Sequence, residues 1–282
     1  MRTFKIEHTS WWLSIIIIFS ATLMFTIFYS AFQALALLAH DVRIVLYVPV
    51  CLLLGCGITA VYALVIRYFE QEWTSSLCLN RLPRELAKGI AIGIIFFLLV
   101  TGIMAAGGWY RIGTVDLGYT LLKDIAFYFL IACGEEVLFR GVIFRLTAKR
   151  WNTAWALAVS ALLFGFTHIM NEGATVWSSI AIALEAGVML GMAYKVSGTL
   201  WLPIGIHWAW NVMEGPVLGF AVSGNEENSM IKPIIEGPEM ITGGSFGAEA
   251  SVIAIIIGLA VTWIFWLKSR KDILYAEEAV EQ

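Results

Sequence analysis

The chain has 282 residues, 60% of them hydrophobic and only 14% charged, with a formal net charge of −3 and a mean hydropathy of +0.81. Soluble domains carry about 25% charged residues, so this composition excludes an ordinary soluble globule and points to a chain that crosses a membrane several times. The slightly acidic balance excludes a nucleic-acid partner, which would need a basic face.

At about 20 apolar residues per crossing, hydropathy predicts eight helices, near residues 11–38, 44–67, 87–108, 120–144, 152–170, 174–194, 199–218 and 249–267. The first apolar run is far longer than the roughly 7–15 residues of a signal-peptide core, and it reads as a retained anchor. Twelve tryptophans suit a protein with two aromatic membrane interfaces. The cysteines (Cys51, Cys56, Cys78 and Cys133) show no CxxC spacing. They read as small hydrophobes, without a disulfide framework or a thiolate metal site. Residues 215–249 form the longest connection, rich in Gly, Pro and Glu; a solvated linker is expected there in preference to a lid.

Basic residues set the orientation. With the N-terminus inside, the cytoplasmic side collects Arg2, Lys5, Arg67, Arg81, Arg84, Lys88, Arg145, Lys149, Arg150, Lys195, Lys268, Arg270 and Lys271. The opposite side holds only Arg43, Arg111, Lys123 and Lys232. That asymmetry follows the positive-inside rule and predicts an even number of crossings with both termini in the cytoplasm.

Against this apolar background, Glu135, Glu136, Arg140, His168 and His207 stand out. An ionisable side chain at membrane depth costs roughly 2.5–3.5 kcal/mol on insertion scales and usually marks a site. Glu136 and Arg140 are four residues apart, share a helical face and can pair in the favoured orientation. Glu135 lies about 100° further round and has no basic residue at 131, 132, 138 or 139, which leaves it for chemistry. Phe164 and His168 share a face of the fifth helix, so the phenyl ring can wall the imidazole. His207 and Asn211 share a face of the seventh and can donate together to one oxygen, as an oxyanion hole requires. Each piece has a plainer reading: a Glu–Arg pair as structural glue, or a His or Asn bonded to a neighbouring helix. Glu185 fits none of these motifs. Gly187 and Gly191 form a G-x-x-x-G spacing suited to helix packing, and Asp124 stands near a helix start, where the dipole favours it.

Together, Glu135-Glu136-x-x-x-Arg140, Phe164-x-x-x-His168 and His207-x-x-x-Asn211, in this order within about residues 120–214, resemble the CPBP family of intramembrane proteases (the CAAX-protease, bacteriocin-processing or ABI family), whose best-known branch is the type II CAAX prenyl endopeptidases. The resemblance implies an all-α polytopic bundle of about eight transmembrane helices around a water-accessible cavity. It divides the chain into helices 1–3 (1–119), a protease core (120–214), an extracytoplasmic loop (215–248), and a last helix with its tail (249–282). It implies that Glu135 with His168 activates water, that His207 and Asn211 hold the oxyanion, and that Glu136, Arg140 and Phe164 shape the site.

A Zn²⁺ held by Glu135, His168 and His207 is the metal-assisted version of this chemistry. No H-E-x-x-H helix is present, and the metal-free version is favoured. The expected setting is the plasma membrane, with the lipid bilayer and a peptide or membrane-protein substrate as partners. A prenylated C-terminus, a leader peptide and a bacteriocin-type precursor are all candidate substrates. The competing classes are a non-catalytic scaffold or immunity protein that keeps the fold, and a transporter, for which broken helices and a pseudo-repeat would be the signs.

Overall fold

The computed structural model describes residues 5–38, 43–71, 74–226 and 228–280, with side chains as far as Arg270. Arg2, His40 and Asp41, and the side chains of Lys271 and Asp272, lie outside the described residues.

A backbone in lipid must satisfy its polar groups internally, and this chain does so with long helices. They are α1 (Trp11–Leu38), α2 (Ile44–Glu70), α3 (Leu82–Ala106), α4 (122–150), α5 (Thr153–Thr167, ending in the tight turn His168–Met170), α6 (Val176–Ser197), α7 (201–217) and α8 (Val252–Val280). Six of them are long and apolar enough to cross a membrane; α4 and α7, which carry most of the motif residues, are not among the six. The predicted all-α bundle is therefore present, with boundaries shifted by a few residues.

Local chemistry sets several of those boundaries. Pro83 opens α3, where its missing N–H is harmless. Asn152 caps α5 by accepting from the Trp155 backbone N–H at 3.0 Å, and Thr175 with Ser178 forms a capping box on α6. Gly198, at φ 64°, closes α6 in the left-handed conformation.

Three helices are not uniform. α4 widens to π geometry over Val137–Phe144, α6 over Ala183–Gly187 and α7 over Met213–Val217. Each widened turn contains a buried ionisable residue: Arg140, Glu185 and Glu214 respectively.

Glycines bring α7 into backbone contact with α3. A Cβ on Gly89 would sit 2.8 Å from the Gly205 Cα, and one on Gly205 would sit 3.0 Å from the Gly89 Cα. Phe96 stacks on Trp210 at 4.3 Å between ring centres just above this contact. α7, and with it His207, is thereby fixed. Gly187 and Gly191 of α6 pack on Ala161 and Leu157 of α5, the packing role their spacing predicted.

At the end of the bundle away from most basic residues, strand β1 (Tyr110–Val115) pairs antiparallel with β2 (Ile231–Ile235). The solvated linker expected over 215–249 is corrected here. Phe220, Val222 and Phe246 from that segment are buried, Asn171 Nδ2 donates to the Ser223 carbonyl at 2.8 Å, and the Gly224 N–H donates to the Phe246 carbonyl at 2.7 Å. Apolar residues spaced between turn glycines let the segment fold back and cap the helices, which its polar composition concealed.

Candidate active site

Glu136 and Arg140 are both fully buried and pair at 2.8 Å, as their spacing predicted. The pair is part of a longer chain of contacts. Glu136 Oε1 also faces His207 Nδ1 at 2.9 Å, so one carboxylate oxygen holds an arginine from its own helix and an imidazole from α7. Arg140 Nη2 donates to the carbonyls of Ala186 at 3.3 Å and Gly187 at 3.1 Å in the widened turn of α6. Its guanidinium also lies 4.6 Å from the centre of the Phe164 ring, a cation–π contact. Arg140 thus ties α4, α5 and α6 together beneath the site.

Glu135 projects from the adjacent face of α4 and is partly exposed. Its Oε2 stands 3.8 Å from His207 Nε2, and its Oε1 accepts from the Tyr29 hydroxyl of α1 at 3.2 Å. The sequence reading missed Tyr29. Gly134 makes room for it, since a Cβ there would overlap the Tyr29 ring. The available signal was the polar series Thr26, Tyr29, Ser30 and Gln33 at helical spacing in an otherwise apolar helix.

His168 sits in the turn that ends α5, and its Nδ1 lies 2.7 Å from the Phe164 carbonyl. A carbonyl accepts only, so Nδ1 carries a proton, and in the neutral ring it is Nε2 that offers the lone pair. Phe164 is 4.9 Å from the His168 ring and 6.0 Å from that of His207, walling both imidazoles. Asn211, one turn beyond His207, is 6% exposed. Glu135, His168, His207 and Asn211 all line one cavity of about 660 Å³, together with Tyr29, Phe139, Val222, Ser223, Asn225 and Glu226. The structure therefore brings the four predicted residues together. The predicted sharing of one oxygen by His207 and Asn211 needs one change: His207 Nδ1 is taken by Glu136, so only Nε2 faces the cavity side.

Glu185, unexplained by sequence, is fully buried away from this cavity, and neither carboxylate oxygen has a hydrogen-bond partner among the described residues. Glu214 accepts from Trp210 Nε1 and from the Glu249 backbone N–H, both at 3.2 Å. Burial holds the Glu249 carboxyl, which lies just before α8, above the usual carboxylate range.

One carboxylate and two imidazoles are donor types that a zinc site uses, but their placement here does not form one. Among the described residues, no group of three His, Cys, Asp or Glu side chains is arranged to hold a metal ion. Of the three candidate ligands, Glu135 and His207 approach one another, but His168 does not complete a cluster with them.

Residues 117–213 match the family model described as Rce1-like, type II CAAX prenyl endopeptidase Rce1-like. That segment contains all three motifs, and the match supports the CPBP/CAAX protease family assignment made from them. The matched segment is similar to the core of a type II CAAX prenyl endopeptidase and covers about a third of the chain. No individual curated protein and no solved structure matches the chain.

Proposed function

We propose that the protein is an intramembrane endopeptidase in which Glu135 is the general base for water attack on a peptide carbonyl. The observation that carries this reading is the convergence of Glu135, His168, His207 and Asn211 on one cavity. A water between Glu135 and His168 would give its proton to the carboxylate while the lone pair on His168 Nε2 accepts its second hydrogen. The new C–O bond forms as the carbonyl oxygen gains charge, and the Asn211 amide together with a protonated His207 Nε2 would stabilise that oxyanion. Glu135 then returns its proton to the leaving nitrogen as the C–N bond breaks.

Glu136 acts one step removed. It holds His207 by Nδ1, directing Nε2 toward the reaction, and a protonated imidazole balances two neighbouring carboxylates that Arg140 alone does not. No step requires a metal. The plasma membrane is the proposed location, and a peptide or membrane protein the proposed substrate.

The test is cleavage of a peptide pool, including prenylated and unprenylated C-termini, by purified protein, with products read by mass spectrometry. Glu135→Gln and His168→Ala are expected to abolish every product while leaving the protein folded. Full turnover by Glu135→Gln would refute the assignment.

A further inference from the structure

The two ends of the bundle differ in charge, and the catalytic cavity belongs to only one of them. Basic residues gather where α2, α4 and α6 end and α3 begins. There Arg145 and Lys149 pair with Glu70, each at 2.8 Å, Lys195 reaches Thr153 at 3.1 Å, and Arg81, Lys88 and Lys268 line one surface pocket. By the positive-inside rule this end is cytoplasmic. Below Glu135 on that side, packed contacts separate this cavity from the pockets of the basic end, which share none of its lining residues. The Tyr62 hydroxyl donates to the Gly141 carbonyl at 3.0 Å, Phe144 packs on Tyr194, and the Glu70–Arg145 pair lies beyond.

The cavity opens the other way. Its walls are the distal half of α1, the first half of α4 through Phe139, the end of α5, the middle of α7, and the segment 222–226 that folds back from the β-ribbon side. No lysine or arginine is among its lining residues. The rim carries Asn225 and Glu226, both exposed, with Asn171 beside them. Side-chain amides and the hydroxyls of Thr26, Tyr29 and Ser30 supply the donors and acceptors that an extended peptide backbone needs.

We propose that this cavity takes an extended polypeptide segment from the extracytoplasmic face of the membrane, so that the substrate is an extracytoplasmic chain and not a cytoplasmic C-terminus. The substrate part rests on the protease reading above, whereas the outward mouth rests on charge distribution and cavity walls alone.

The test uses the full chain in a bacterial plasma membrane, with single Glu226→Cys, Asn225→Cys and Arg84→Cys variants treated with a membrane-impermeant maleimide before and after permeabilisation. The wild-type chain gives the background from its own cysteines. The rim cysteines are expected to label in intact cells to the level reached after permeabilisation, and Arg84→Cys only after it. Two rim positions guard against one variant failing to fold. Rim labelling that requires permeabilisation would overturn the proposal.

A second measurement adds a membrane-impermeant, quenched-fluorophore peptide pool to sealed vesicles of either orientation, with Glu135→Gln vesicles as the blank. Cleavage is expected from right-side-out vesicles alone, and cleavage from inverted vesicles alone overturns the proposal. Outward labelling with no cleavage in either orientation overturns the protease reading and the substrate with it, while the outward mouth stands.

Discussion

Replacing Glu136 by Leu leaves the Arg140 guanidinium fully buried with two carbonyl contacts, the Phe164 ring and the more distant Glu135 charge as partners. Removing one member of a buried ion pair costs about 3–5 kcal/mol, largely because the surviving charge is uncompensated. Replacing both members by apolar residues of similar volume is often neutral or better. Glu136→Leu is therefore expected to unfold well below the wild type in detergent, and Glu136→Leu/Arg140→Met to recover most of the loss. Activity should behave differently. Both variants lose the carboxylate that holds His207 Nδ1, so the recovered double variant is expected to cleave at least about 100-fold more slowly, as when the carboxylate orienting a catalytic histidine is changed. Thermal unfolding followed by size-exclusion chromatography, beside initial cleavage rates, separates the two effects. A double variant no more stable than Glu136→Leu would refute the charge argument, and a fully active one would refute the orienting role of Glu136.

Tyr29→Phe removes one hydrogen bond to an ionised carboxylate, worth about 1.5–3 kcal/mol. The length of 3.2 Å favours the low end, and a modestly lowered unfolding temperature is the expected readout, because a bond to the resting carboxylate is not strengthened as that carboxylate takes a proton. Asn211→Ala deletes an oxyanion donor and should lower kcat by about 10²–10³-fold, with unfolding temperature nearly constant. Gly205→Leu would force α3 and α7 apart where their backbones touch; loss of the monodisperse folded species on size exclusion is the expected readout.

Much of this was legible because lipid makes charge conspicuous. Glu135, Arg140, His168 and His207 stand out in apolar runs, and spacing alone placed Glu136 against Arg140. What escaped was contact between helices. The bond from Glu136 to His207 joins residues 71 positions apart, and no periodicity within either helix encodes it. Tyr29 escaped because a tyrosine in a transmembrane run reads as interfacial anchor or packing, and its partner is 106 residues away. The 215–249 segment misled for the opposite reason: its glycines and acids dominate the composition, while the few apolar residues among them do the folding.

The widened turns in α4, α6 and α7 carry a consequence for sequence length. A π turn holds one more residue than the α-helical path needs, so each of these helices contains a removable position. Excising one residue of 137–139 would let α4 tighten to regular geometry and leave the residues beyond Phe144 on their present faces, yet it would re-aim Arg140 inside the turn. Arg140 would then no longer meet the carbonyls of Ala186 and Gly187. A single-codon deletion in the middle of an apolar helix, normally a matter of register alone, would here undock three helices at once.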